Sequence, residues 1–226
     1  ITDRHGVTLY EIYADTNRTP VTLEEIPNHL KQATIAIEDK NFYSHWGFSI
    51  QGITRATHNI LFKNSLQGGS TITQQLVKVA LLTPERTIQR KIKEAFLTIG
   101  TEIIYSKDDI LEMYLNHIPY GGTAWGIESA AKTYFNKSAS ELELHESALL
   151  AGLPAAPTRF SPFGLNPELA IQRQQEVLRR MVEEGFITPE TAETAKNREL
   201  TFSADTITIN APHFALYVKD ILTEKY

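Results

Sequence analysis

Signals for the start of an α-helix recur along almost the whole of this 226-residue chain. In most of them a hydroxyl or Asn side chain stands ahead of Pro, acidic residues or an apolar pattern with a period of 3.6 residues. Such starts are predicted at Pro27, Ser49, Thr71, Thr83-Pro84-Glu85, Ser106, Ser140 (with Glu143 three positions on, a capping box), Asn166-Pro167-Glu168 and Thr188-Pro189-Glu190. Extended patterns occur only at residues 7–13 and 200–209. The sequence therefore predicts a mainly α fold with a small β accessory near the termini, in a single domain over residues 1–226.

Composition excludes several classes of function. The 22 Lys and Arg against 27 Asp and Glu give a net charge of −5, which argues against a nucleic-acid partner. The chain has no Cys, so disulfides, a thiolate nucleophile and Cys-based metal sites are excluded. The apolar run at 147–158 is broken by Gly and Pro and is too short to span a bilayer, so any membrane anchor is expected upstream of Ile1. Because the net charge is negative, any site that binds an anion must depend on a local cluster of positive side chains.

An acid pair, Glu38 and Asp39, ends the first predicted helix. The helix macrodipole opposes negative charge there, and the aromatic residues that follow can desolvate a carboxylate, so both effects raise the pKa of an acid. A raised pKa suits a general base that works near neutral pH. The alternative is an exposed acidic helix end beside aromatic packing residues.

A Gly-rich segment leads into the helix that starts near Thr71. A helical wheel puts Ile72, Leu76 and Val79 on one side and Thr71, Gln74, Gln75 and Lys78 on the other. Free backbone N–H groups and a cation on one face would hold a phosphate or a sugar. The spacing is not that of a phosphate-binding Walker A loop. The alternative is an amphipathic helix whose polar side meets water.

The next helix carries a concentrated positive charge. Between Arg86 and Glu94 there are four cations and one acid, a local charge of +3 that suits phosphate oxygens. The apolar residues of this helix are predicted to form its core-facing stripe: Ile88, Ile92, Ala95, Phe96 and Ile99. The alternative is a solvated cationic face. A separate apolar patch, Ile60-Leu61-Phe62, either packs in the core or dips into a lipid interface.

Together and in this order, these segments resemble the peptidoglycan glycosyltransferase family, which polymerises lipid II in bacterial cell walls. The matching motifs are Glu-Asp-x-x-Phe-x-x-His-x-Gly at 38–47, Gly-x-Ser-Thr-Ile-Thr-Gln-Gln-Leu-x-Lys at 68–78, Arg-Lys-x-x-Glu at 90–94, Lys-Asp-Asp-Ile-Leu-Glu-Met-Tyr-Leu-Asn at 107–116, and Arg173 before Val177. The chain departs from the family pattern at Val79 and at Gly121-Gly122-Thr123. Five motifs in register make the resemblance specific.

The resemblance implies a lysozyme-like, two-lobed helical fold whose smaller lobe touches the membrane through Ile60, Leu61 and Phe62. It implies a location at the extracytoplasmic face of the bacterial cytoplasmic membrane. Residues of about 20–200 would form the catalytic core. Residues of about 200–226 resemble the connector that leads to a transpeptidase domain in class A penicillin-binding proteins.

The resemblance also assigns roles. Glu38 would take the proton from the acceptor sugar hydroxyl, so that a β-1,4 glycan forms with inversion and undecaprenyl pyrophosphate leaves. Glu94 would be the second catalytic acid, as an orienter of basic residues or as a ligand for a divalent metal, Mg²⁺ or Mn²⁺; no organic cofactor is expected. The residues expected to bind substrate are Asp39, Arg55, Ser70, Gln74, Gln75, Lys78, Arg86, Arg90, Lys91, Lys93 and Arg173.

Two alternative functions remain open at this point. A lysozyme-type hydrolase or lytic transglycosylase could share the helical architecture and a Glu acid, but it would not need clustered cations beside the sugar site. A non-catalytic anion-binding module would leave the acid pair and the paired Gln residues unexplained.

Overall fold

The computed structural model describes residues 19–49, 69–83, 85 and 87–203. These ranges contain eight α-helices: α1 Asn28–Glu38, α2 Ile72–Leu81, α3 Ile88–Ile104, α4 Lys107–His117, α5 Ile127–Phe135, α6 Leu144–Gly152, α7 Glu168–Glu183 and α8 Pro189–Lys196. Two short 3₁₀ helices span Phe42–Ser44 and Ala139–Glu141. The prediction of a mainly α fold is confirmed; its division into two lobes stays a prediction.

Local capping chemistry explains where most helices begin. The side chain of Thr71 accepts a hydrogen bond from Gln74 N at the start of α2, Ser106 does the same for α4, and Thr188 caps α8 with Pro189 in the first turn. These three predicted starts are confirmed, as is the start of α1 after Pro27. The helix predicted after Ser49 lies outside the described residues.

Two predicted helix starts were wrong, and one helix was missed. The start of α3 lies at Ile88, with Thr87 as its cap, and so comes after the predicted Thr83-Pro84-Glu85. The start of α6 lies after Glu143, which forms a capping box with Glu146, and the predicted start at Ser140 falls inside a 3₁₀ helix. The sequence analysis missed α5 because its N-cap is Gly126, which has no side chain to signal a start.

The described β structure is a small antiparallel hairpin in the middle of the chain, formed by β1 (Pro119–Gly121) and β2 (Ala124–Trp125). Strands this short carry no alternating pattern that sequence analysis can recognise. Residues 200–203, predicted as extended, form no strand, although Ser203 N donates to Tyr134 O. Residues 7–13 and 204–209 lie outside the described residues.

Close packing of small residues brings α1 against α6 and α7. Ala33 and Ala36 of α1 face Ala148 and Ala151 of α6 in a cluster completed by apolar residues of α7: Val177, Leu178 and Met181. Alanine side chains let helix axes approach closely, so the C-terminal end of α1 lies beside α7. This packing positions Glu38, the last residue of α1, near the basic side chains of α7.

The orientation of α3 is the reverse of the prediction. Its expected core stripe points outward, with Ile88 81% and Phe96 72% exposed, whereas Glu94 is only 2% exposed and Thr98 is fully buried. A 3.6-residue period identifies an apolar face but not what that face contacts. The polar face of α3 packs instead toward α2 and Gly47. Among the described helices, none has both the length and the apolar composition needed to cross a membrane.

Candidate active site

Glu38 is a buried carboxylate at the end of α1, and its side chain is 8% exposed. Its Oε2 accepts a hydrogen bond from Gln75 Nε2 of α2 at 2.7 Å. Its Oε1 has no hydrogen-bond partner among the described residues and lies 3.9 Å from Arg173 Nη2 of α7. Burial raises the pKa of Glu38, while the Gln75 hydrogen bond and the charges of Arg173 and Arg180 lower it in part. Glu38 is therefore not the exposed helix end that the sequence left open.

Two buried tyrosines complete the surroundings of Glu38. The hydroxyl of Tyr114 lies 3.4 Å from Gln75 Oε1 and donates to it. This contact orients the Gln75 amide so that its NH₂ group faces Glu38. Burial, followed by the charge of Glu38, raises the pKa of Tyr114 and of Tyr120 above the ordinary value, so both hydroxyls keep their protons. Neither tyrosine was among the site residues named from the sequence.

Asp39 is held by the protein itself. Its Oδ2 accepts from Ile72 N in the first turn of α2 at 3.1 Å, and His45 Nε2 lies 2.9 and 3.0 Å from its two oxygens. Asp39 and Gly47 belong to the loop that follows Glu38, residues 39–47. The hydroxyl of Thr71 donates to Gly47 O at 2.7 Å, which joins this loop to α2 a second time. These contacts favour a role for Asp39 in holding the loop and α2 together over direct contact with a substrate.

The polar side of α2 is divided between capping and the site. Gln74 is buried and its Oε1 accepts from Thr71 N at 3.1 Å, so its amide is used in the capping box. Ile72 N and Gln74 N are also bonded, to Asp39 and to Thr71, which leaves fewer free N–H groups for an anion than the sequence indicated. Gln75 faces Glu38, and the exposed Lys78 follows one turn later on the same face. Ser70 is half-buried beside this start.

The acid of α3 is paired with its own cations. Arg90 Nη1 lies 2.9 Å from Glu94 Oε2, and Lys91 Nζ contacts Glu94 Oε1. Lys93 is exposed. Arg55 and Arg86 lie outside the described residues. Both carboxylate oxygens of Glu94 are thus paired with basic side chains of its own helix.

The surroundings of Glu94 do not fit a divalent metal. Both of its oxygens already hold a cationic side chain, and a metal ion there would meet their positive charge. Within the described ranges, no three His, Asp or Glu side chains lie close enough together to ligate one ion. The expectation of a metal at Glu94 is therefore not supported.

The basic residues of α7 were only partly anticipated. Arg173 Nε donates to Gly152 O at 3.2 Å and its guanidinium lies 5.4 Å from the centre of the Phe160 ring, which fixes it beside Glu38. Arg180, seven residues later on the same helix face, reaches Ile37 O at 3.4 Å and adds a second positive charge near Glu38. The spacing of seven was the available signal for Arg180, which sequence analysis missed.

Known proteins are similar to this chain in both sequence and fold. Penicillin-binding protein 1A of Aquifex aeolicus (strain VF5) is 46% identical over 219 residues, which cover 96% of this chain and 30% of that protein. Penicillin-binding protein 1A of Escherichia coli (strain K12) is 42% identical over 217 residues, covering 95% of this chain and 25% of that protein. The chain thus spans less than a third of the length of these relatives.

A solved structure agrees with the sequence relatives. The crystal structure of penicillin-binding protein 1A from Haemophilus influenzae superposes with a TM-score of 0.52 at 26% identity, over 84% of this chain and 19% of that one. The sequence model of the transglycosylase family matches residues 5–182, which include every motif quoted above. The resemblance read from the motifs is confirmed, and the chain belongs to the transglycosylase family.

Proposed function

We propose that this domain polymerises lipid II into β-1,4-linked glycan strands, with inversion at the anomeric carbon and release of undecaprenyl pyrophosphate. The observation that carries the proposal is the state of Glu38. It is a buried carboxylate with a raised pKa, one oxygen of which is held by Gln75 while the other has no hydrogen-bond partner among the described residues. A positioned acid with spare acceptor capacity fits a general base.

In the proposed reaction, Glu38 Oε1 takes the proton of the acceptor 4-hydroxyl. The oxygen of the acceptor hydroxyl forms the new bond to the anomeric carbon of the lipid-linked sugar, and the bond from this carbon to the pyrophosphate oxygen breaks. The proton ends on Glu38 and the negative charge on the departing pyrophosphate. Gln75 holds the Glu38 carboxylate in position, and the positive charge of Arg173 offsets part of the free-energy cost of burying the Glu38 charge.

The departing charge needs cations that are in place before the reaction. Lys78 lies one turn beyond Gln75 on α2, and α3 packs against α2 with Arg90, Lys91 and Lys93 on its N-terminal half. Glu94 holds Arg90 and Lys91 in position. We assign the pyrophosphate to these cations together with Arg86, and assign sugar contacts to Ser70 and Arg55.

The exposed stripe of α3 supports a membrane partner. Soluble monomers rarely expose contiguous apolar surface of this extent, and amphipathic helices rich in Lys and Arg lie in lipid interfaces. We therefore place the outer face of α3 in the lipid interface, at the extracytoplasmic side of the cytoplasmic membrane, and propose Ile60-Leu61-Phe62 as a second contact with lipid. The stripe consists of Ile88, Ile92, Phe96, Ile99, Ile103 and Ile104. This surface would hold the enzyme where its lipid-linked substrate lies.

The length of the relatives supports a larger protein. The relatives extend well beyond the part that they share with this chain. We propose that residues of about 20–200 form the catalytic core and that residues of about 200–226 lead toward a fused transpeptidase domain.

The test is polymerisation of lipid II by the protein and by its Glu38→Gln variant. General-base catalysis contributes about 10²-fold or more, so the variant should lose at least that factor. The matched control is Glu183→Gln, which changes an exposed Glu on α7 and should keep the full rate. Retention of more than about a tenth of the rate by Glu38→Gln would remove Glu38 as the base. Release of muropeptides from finished peptidoglycan, without polymerisation, would replace the proposal with a muramidase or lytic transglycosylase.

A further inference from the structure

Glu102 is a buried acid for which the proposed reaction has no use. It lies on α3 at the third position of the inward-facing series Glu94, Thr98 and Glu102, spaced four residues apart, and its side chain is 5% exposed. Because an acid in such a place costs free energy unless it is paired and hydrogen-bonded, its contacts indicate what keeps it there.

The polar contacts of Glu102 come from two other helices. The hydroxyl of Thr73 on α2 donates to its Oε1 at 2.5 Å. Lys107 Nζ of α4 lies 2.8 Å from the carboxylate, and the same ammonium stands 4.6 Å from the centre of the Phe42 ring. The carboxylate thus joins α2, α3 and α4, and through Lys107 it also reaches the loop that follows Glu38.

The loop side of this junction is closely packed. A Cβ built on Gly47 would come within 2.6 Å of Thr98 Cγ2 and 3.0 Å of Glu102 Cγ, so the loop backbone rests directly on α3. The same loop carries Asp39, which binds the first turn of α2. Glu102 therefore lies where the two helices that bear cations meet the loop that follows Glu38.

We propose that Glu102 is a positioning residue, which through Thr73 and Lys107 fixes α3 and its basic side chains relative to α2 and Glu38. The inference rests on the proposed function, because it concerns the placement of Arg90 and Lys93 against the departing pyrophosphate. Electrostatic stabilisation of a developing charge depends on preset geometry, and a displacement of about 1 Å can cost about 10²-fold in rate. Glu102 itself touches no substrate.

The most selective change is Thr73→Val, which keeps the side-chain shape and removes only the donor to Glu102. We expect kcat for lipid II polymerisation to fall about tenfold or more, with KM changed less than about threefold, since the lost interaction acts in the transition state. The acidic limb of the pH–rate profile should stay in place, because Gln75 and Arg173 still surround Glu38.

Two further variants separate positioning from general stability. Thr73→Ser restores the hydroxyl and should return kcat to within about twofold of the parent. Thr101→Val removes a Thr hydroxyl that donates within α3, to Leu97 O, and should leave kcat unchanged. Combining Thr73→Val with Glu102→Gln should lower kcat by less than the product of the two single effects, as expected for two groups that act through one contact.

The outcomes distinguish this inference from the proposed function. If the parent protein does not polymerise lipid II, the proposed function fails. If the parent is active and Thr73→Val matches Thr101→Val in kcat, only the role of Glu102 fails. A Thr73→Val variant that loses thermal stability but keeps the kcat of the folded enzyme reduces Glu102 to a structural contact, and a shifted acidic limb would mean that Glu102 acts on Glu38 instead.

Discussion

Gln75 donates its side-chain amide to Glu38 Oε2 at 2.7 Å, across 37 positions of sequence. The contact joins the last residue of α1 to the second turn of α2 and so brings two of the sequence motifs into one site. Tyr114 fixes the orientation of this amide, because its hydroxyl donates to the amide oxygen and leaves the NH₂ group toward Glu38.

The Gln75→Leu variant should need a higher pH for activity. The Gln75 hydrogen bond favours the ionised form of Glu38 and lowers its pKa, so removing the bond raises that pKa further. A general base must be deprotonated, and the acidic limb of kcat/KM should therefore move to higher pH. The measurement is the pH–rate profile of lipid II polymerisation, with Gln175→Leu, an exposed Gln on α7, as the control. An acidic limb that stays in place would show that Gln75 does not tune Glu38.

The Glu38→Gln variant should be more stable than the parent at neutral pH. Burial raises the pKa of Glu38 above the ordinary value of a carboxyl group, so the charged form is disfavoured in the folded state. The stability linked to this group is complete below the unfolded pKa and is lost as the pH rises through the folded pKa. The variant, which has no ionisable group at this position, should therefore unfold at a higher temperature than the parent at pH 7.

The pH dependence of that gain supplies its control. At about pH 4, where Glu38 is protonated in the folded state, the Tm difference should shrink toward zero. Thermal unfolding of both proteins at the two pH values makes the comparison, and Glu183→Gln should stay within about 0.5 kcal/mol of the parent at pH 7. Equal or lower stability of Glu38→Gln at pH 7 would contradict a buried, ionised carboxylate.

Replacing Gly47 by Ala should destabilise the fold. Gly47 has a φ of +73°, and a Cβ there would come within 2.6 Å of Thr98 on α3. Gly122 has a φ of +56° but nothing within 4 Å, so Gly122→Ala carries the backbone strain alone. We expect Gly122→Ala to lose about 1–2 kcal/mol of unfolding free energy and Gly47→Ala to lose more. Equal losses in denaturant unfolding would mean that the contact of the loop with α3 is loose.

The Ile103→Ser variant should weaken binding to lipid vesicles without weakening the fold. Ile103 is 70% exposed on the outer stripe of α3, so its loss removes little packing. Burial of such a side chain in the lipid interface contributes about 1.5–3 kcal/mol, and binding to anionic vesicles should fall about tenfold or more. Leu165→Ser, in the loop before α7, changes an apolar residue that is fully exposed but lies outside the stripe, and it should bind like the parent. Unchanged vesicle binding by Ile103→Ser would remove α3 from the lipid contact.

The features that sequence predicted well are those decided by neighbouring residues. Thr71, Ser106 and Thr188 cap helices through atoms three positions away, so their chemistry is visible in a short segment. The inward turn of Glu94 depends on what α3 packs against, and its sequence period is the same for either orientation. The surroundings of Glu38 depend on Gln75, Tyr114 and Arg173, which lie far apart along the chain. Motif order predicted that such residues belong together but not which atoms meet.

The outward apolar side of α3 has a kinetic consequence. An enzyme held on a bilayer by one helix encounters a lipid-linked molecule by diffusion in two dimensions. In the proposed orientation, turnover then follows the mole fraction of substrate in the layer and not its concentration in the bulk solution. Empty lipid added at constant total substrate would slow the reaction by dilution within the plane.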